Sequence, residues 1–174
     1  MRYVLIGVSI ILSVLLQVTI FPSIPYIAVT PNFLLMVTVA FSIMYGQTYG
    51  IFIGMICGFL LDIYSGTMLG YCAFIFICLG FFCGSFTKLF SHEDYKLPTA
   101  IILSADFVYG AAVYVTSFLI GGDISVMNAL FYVIIPEIVY TGLVSVFLYP
   151  LLVYFDRKIR EHSRTRAKKF VAEK

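Results

Sequence analysis

The stretch GQTYGIFIGMICGFLLD, residues 46–62, carries Gly46, Gly50, Gly54 and Gly58 at a constant spacing of four, and the next step of four reaches Asp62. Two further steps reach Gly66 and Gly70. Residues four apart on an α-helix are displaced by about 40° around the axis, so the row winds slowly across one face. Small residues at this spacing let a second backbone come close, and van der Waals packing is a main source of helix association in lipid. Each glycine gives up about 1 kcal/mol of helix propensity relative to alanine, so four in register point to a close contact that offsets the loss. Two occupants fit the row, another helix of the same chain or a helix of a partner protein. A water-filled pathway is the third alternative.

Composition places this row in a membrane. The 174 residues are 61% hydrophobic and 11% charged, with a mean hydropathy of +1.03, where a soluble domain carries roughly 25% charged residues. Between Tyr3 and Thr87 the only charged residue is Asp62, and from Leu97 to Phe155 there are three, Asp106, Asp123 and Glu137. Uncharged stretches near the roughly 20 residues that cross a bilayer core read as transmembrane helices. The runs are apolar throughout, without the alternation of a barrel, and lipid requires backbone groups to pair internally. The expected fold class is therefore all-α: a polytopic membrane protein of six transmembrane helices.

The six spans fall at about 3–21, 32–45, 48–64, 68–88, 98–120 and 126–155, forming one transmembrane domain over 1–155, followed by a basic tail over 156–174. Spans two and three together would reach about 50 Å as one straight helix, well beyond a hydrocarbon core of about 30 Å, so a tight hairpin is expected at Gly46. The sixth span is long enough to require a tilt, or a kink at Pro136. The first has a basic start at Arg2, but its apolar run from Val4 to Phe21 is long for a cleaved signal sequence and no A-x-A-like site follows. With an even number of spans, Arg2, Lys88, Lys96 and the tail share one side, and the opposite loops contain no lysine or arginine. By the positive-inside rule both termini are cytoplasmic.

The tail, DRKIREHSRTRAKKFVAEK, has eight basic and three acidic side chains, a net +5. Arg157, Lys158, Arg160, Arg164, Arg166, Lys168 and Lys169 read as a topology anchor held against anionic lipid. A catalytic constellation is not expected. His92 and His162 sit in charged segments without ligand companions, and no nucleophile elbow or phosphate loop occurs. Cys57, Cys72, Cys78 and Cys83 read as small buried apolar residues, with no metal or cofactor implied. Nothing points to nucleic acid.

Three acids need an account. Asp62 falls in the last turn of the third span, where the carbonyl end of the helix disfavours a negative charge. It is expected to find donors in the turn Ser65-Gly66-Thr67, or an outside cation, and either to tie down the turn to the fourth span or to belong to a binding surface. Asp106 and Glu137 lie deeper, and ionisable groups inside spans are functional-site candidates. No lysine, arginine or histidine accompanies them in spans two to six away from the cytoplasmic ends. They are therefore protonated, bonded to Ser, Thr or Tyr donors, or paired with another chain.

The stretches LLQVTIFP, TPNFLLM and GQTYGIFIGMICGFLLDIYSG, followed by TMLGY, together resemble the rod shape-determining protein MreD family of bacteria. The specific part covers residues 17–71, and later spans agree mainly in hydropathy. The resemblance implies a non-enzymatic inner-membrane member of the cell-elongation machinery that works with the single-span protein MreC. It further implies links to RodA, a class B penicillin-binding transpeptidase and MreB, and a fold similar to the substrate-binding S components of energy-coupling-factor transporters. The family motif maps onto Pro31, Asn32, Gly46, Gly50, Gly54, Gly58, Asp62, Gly66 and Gly70, as positions of helix packing or partner contact. Two other functions stay open: an S component of a vitamin transporter, and a small proton-coupled transporter using Asp106 or Glu137.

Overall fold

The computed structural model describes residues 2–20, 30–66, 68–89, 96–121 and 135–172. Among these residues six α-helices follow in order: α1 (Arg2–Leu15), α2 (Phe33–Tyr45), α3 (Gln47–Ser65), α4 (Tyr71–Ser85), α5 (Lys96–Gly121) and α6 (Ile135–Ala172). A π-helical turn, Leu16–Ile20, extends α1, and a short 3-10 turn, Phe86–Leu89, extends α4. Among the described residues there is no strand.

The bundle is built around α2. Its residues from Phe33 to Met44 are all buried, because the helix is apolar on every side and has no polar face to turn outward. At 13 residues it rises only about 20 Å, so the short second span is an enclosed core helix with protein packed around it. Its hydroxyls remain inside without loss. Thr38 donates to the Leu34 carbonyl and Ser42 to the Thr38 carbonyl, so each finds its acceptor one turn back.

Outside this core the usual polarity is inverted. Phe74, Phe82, Phe107, Leu119 and Phe147 are exposed, whereas Ser9, Ser13, Gln17, Asn32, Asp62, Asp106 and Asp156 are buried. Helices α3, α5 and α6 each contain a stretch long and apolar enough to cross a membrane, at 47–65, 97–116 and 135–159. A surface that presents phenylalanine and leucine while burying carboxylates is stable in lipid and not in water.

Hydrogen bonds between helices define their directions. Gln17, at the end of α1, accepts from the Leu34 amide at the start of α2. Thr141, early in α6, accepts from the Asn32 amide, and Tyr45, at the end of α2, donates to Asp156 further along α6. Helices α2 and α6 therefore run parallel, from an Asn32 end to an Asp156 end. Tyr71, at the start of α4, donates to Ala112 and Thr116 late in α5. Successive helices thus alternate in direction, and the start of α1, the end of α4, the start of α5 and the end of α6 gather at the Asp156 end.

The sixth helix runs past the expected end of its span. Pro136 stands in its first turn as described, a position that tolerates proline because the amide there has no helical acceptor; residues 126–134 lie outside the described set. At the other end α6 continues through Ala172, so the expected separate tail is an extension of the last helix. Its 38 residues rise about 57 Å, nearly twice a hydrocarbon core, so its charged end must leave the membrane.

The Tyr45–Asp156 bond ties the core helix to α6 where the latter emerges. Phe41 stacks on Tyr45 at 5.7 Å between centroids, which holds the phenol in place. Tyr45→Phe is expected to lower the unfolding midpoint in proportion to a loss of about 1–2 kcal/mol. An unchanged midpoint in lipid nanodiscs would show that the bond carries no net stability.

Candidate functional site

The glycine row separates into three kinds of position, each with its own physical cause. Gly50, Gly54 and Gly58 face α4. A Cβ built on Gly50 would overlap the carbonyl of Gly80, one on Gly54 the carbonyl of Phe76, and one on Gly58 the Cα of Ala73. Backbone atoms obstruct in every case, joined at Gly50 by the Ser42 Oγ of α2, so no rotamer change relieves the overlap. The matching residues advance along α3 as they retreat along α4, which is the register of an antiparallel hairpin. The occupant of the row is thus a helix of the same chain.

Helix α4 contributes its own small residues to this seam. Gly80 lies against Gly50, and Gly84 against Gln47 and the Gly46 carbonyl carbon. Both were overlooked in the sequence, although their spacing of four, with Ala73 and Phe76 beyond, carries the same signal as the row on α3.

Gly46, Gly66 and Gly70 serve the chain's turns. Gly46 has φ +95° and ψ 179°, a conformation closed to residues with a Cβ, and it allows α3 to start immediately after α2 ends. The hairpin expected there is present. Gly66, at φ +63°, closes α3 in the left-handed conformation, its amide donating to the Asp62 carbonyl.

Asp62 is the third kind of position. Only 1% exposed, its carboxylate accepts from the amides of Gly70 (2.8 Å), Cys72 (2.9 Å) and Ala73 (3.3 Å). These are the free N–H groups of the first turn of α4, where a negative charge meets the positive end of the helix dipole. Asp62 therefore caps the following helix. Of the turn Ser65-Gly66-Thr67 in which donors were expected, Thr67 lies outside the described residues, and the donors at Gly70, Cys72 and Ala73 were not anticipated. The helix of Asp62 itself ends at Ser65, as expected to within a residue, and the carboxylate bridges the last turn of α3 to the first turn of α4.

Asn32 performs the equivalent task for α2. Its side chain accepts from the Leu35 amide at 3.2 Å, and Gln17 from the π-helical turn takes the Leu34 amide at 3.2 Å. Pro31 places its carbonyl 3.1 Å from the Phe33 amide. Gln17 was another residue missed in the sequence; only the approach of α1 to α2 gives it a role.

The two deep acids converge. Asp106 on α5 is 2% exposed, and neither of its carboxylate oxygens has a hydrogen-bond partner. Thr141 stands beside it without a hydrogen bond of sound geometry reaching either oxygen. Glu137, one turn before Thr141 on α6, lies within electrostatic reach of Asp106 and of Tyr109. Tyr109 in turn lies 3.8 Å from the Cys72 sulfur and packs edge-on against Phe76. Of the expected site residues, the structure thus joins Asp62 and Gly70 at the α3–α4 turn, and Asp106 with Glu137 between α5 and α6. No group of three or more His, Cys, Asp or Glu among the described residues forms a metal site. The basic positions from Arg157 to Lys169 are strung along the end of α6, where Lys158 lies 5.9 Å above the Tyr154 ring.

A tight α3–α4 seam, capped by a buried aspartate and wrapped around an enclosed α2, is the framework of this bundle. The family model for rod shape-determining protein MreD matches residues 1–159, and so spans all of it. The chain belongs to the MreD family. It is accordingly one of the rod shape-determining proteins, and three of its described helices are long and apolar enough to cross a membrane. No curated protein and no solved structure matches it.

Proposed function

We propose that this MreD-family chain is a non-enzymatic component of the cell-elongation machinery in the bacterial inner membrane. It binds an MreC-like single-span protein and helps organise lateral peptidoglycan synthesis by RodA and a class B penicillin-binding transpeptidase, in connection with MreB inside the cell. The match to the family over residues 1–159 carries this reading. Both termini are cytoplasmic: the Asp156 end collects the basic residues at the start of α1, after α4, and along the end of α6, and anionic lipid holds them there.

Because α4 fills the glycine row, a partner helix needs another surface. A lipid-facing cleft of about 240 Å³ between α1 and α6 offers a concave apolar seat, with Ser9 and Ser13 at its base and Leu12, Leu148 and Phe155 on its walls. Small buried residues flanked by leucines suit the close approach of one more helix.

Depletion in the native host is expected to abolish rod shape, and the wild-type chain to restore it. Affinity purification from those membranes should retain the MreC-like protein, and Ser13→Leu should reduce its recovery. Rescue without any MreC-like protein in the eluate, or recovery of ATPase subunits or a bound vitamin instead, would replace this reading with that of a transporter component.

A further inference from the structure

Buried carboxylates in this protein follow a rule, and Asp106 breaks it. Asp62 has three amide donors and Asp156 has the Tyr45 hydroxyl. Asp106, equally buried, has none. An unpaired carboxylate in a low-dielectric interior carries a large desolvation penalty, and even a protonated carboxyl needs an acceptor for its O–H and a donor for its carbonyl. The neighbouring carboxyl of Glu137 adds like charge in place of relief. Nor can the chain supply a cation, since Tyr3–Thr87 and Leu97–Phe155 contain no lysine, arginine or histidine. The titratable groups packed around the pair are Tyr109 on α5 and, beyond it, Cys72 on α4, neither of them cationic.

We infer that Asp106 and Glu137, with the Thr141 hydroxyl, form an intramembrane site for one small monovalent cation of the size of sodium. Burial limits the size of the occupant: at 2% exposure Asp106 is out of reach of a lysine or arginine from another chain, whereas half-buried Glu137 offers a bare ion a way in. The donor chemistry limits its kind. Carboxylate and hydroxyl oxygens are hard ligands, and they are too few here for calcium, which takes about 6–8 oxygens, or for magnesium, which holds its waters in near-octahedral geometry. An alkali ion neutralises one carboxylate, and the second is left to carry a proton.

The full chain in lipid nanodiscs, in choline buffer at fixed ionic strength, tests this with ²²Na⁺ in a scintillation proximity assay. The expected result is saturable binding that unlabelled NaCl displaces and choline chloride does not. Asp106→Asn and Glu137→Gln should each weaken it about 10-fold or more, as loss of a ligand does. Asp156→Asn, a buried acid elsewhere on α6, should leave it unchanged. Sodium should also raise the unfolding midpoint of the wild type in a saturable way. Folded wild-type protein without saturable ²²Na⁺ binding would overturn the site, whether water or protons alone then occupy it, and so would undiminished binding by both amide variants. None of these measurements depends on cell shape or on a partner.

Discussion

Gly58→Leu is expected to abolish the folded bundle, seen as loss of the monodisperse peak and of a cooperative unfolding transition in nanodiscs. A Cβ alone at this position already overlaps the Ala73 Cα and the Cys72 carbonyl carbon. The obstacle is backbone, so the helices must separate, and in separating they lose contact along their whole length. Overpacking of an ordinary core costs about 1–3 kcal/mol; a rigid seam on which two helices depend exceeds that range. Gly58→Ala discriminates further. Its gain in helix propensity is about 1 kcal/mol, so a neutral or stabilised alanine variant would show that the seam is looser than described. Gly7→Leu is the matched control, because nothing lies within 4 Å of a Cβ there, and it should leave the transition intact.

The second large effect is expected at Asp62. Asp62→Ala leaves the amides of Gly70, Cys72 and Ala73 without their acceptor, in a turn where these bonds both cap α4 and hold it to the end of α3. Loss of a cap costs about 0.5–2 kcal/mol, and each buried amide left unpaired about 1–3 kcal/mol, so a total of about 3 kcal/mol or more is expected. Asp62→Asn should fall between. Its amide oxygen can replace the carboxylate oxygen shared by Gly70 and Ala73, while its NH₂ then opposes the Cys72 amide. The order aspartate, asparagine, alanine in unfolding midpoint is the signature of a cap. Asparagine and alanine equally damaging would point to a required charge instead, and alanine as stable as aspartate would remove the capping role.

Both effects trace to a pattern that was visible in the sequence, though its division of labour was not. Seven positions share one spacing, yet Gly46, Gly66 and Gly70 serve backbone conformations, Gly50, Gly54 and Gly58 serve contact, and Asp62 serves hydrogen bonding. Spacing reports which residues share a helix face. It is silent about where a helix ends, and α3 ends at Ser65, so the last members of the row lie on no helix face. The same limit applied to α2. Its run of apolar residues read as a lipid-crossing span because lipid and protein interior select the same side chains; only the packing of the other helices around it shows that Phe33–Met44 is a core.

Composition and charge placement alone pointed to a helical membrane bundle and to the six helices found among the described residues, because the cost of putting an ion or an unpaired amide into hydrocarbon is large enough to be written residue by residue. Which helix fills the glycine seam, which amides satisfy Asp62, and that Asp106 lies near Glu137 with both of its own oxygens unpartnered were decided only by the tertiary structure. Those are relations between distant segments, 109 residues apart for Asn32 and Thr141 and 111 for Tyr45 and Asp156, and a local pattern contains no term for the distance between two surfaces.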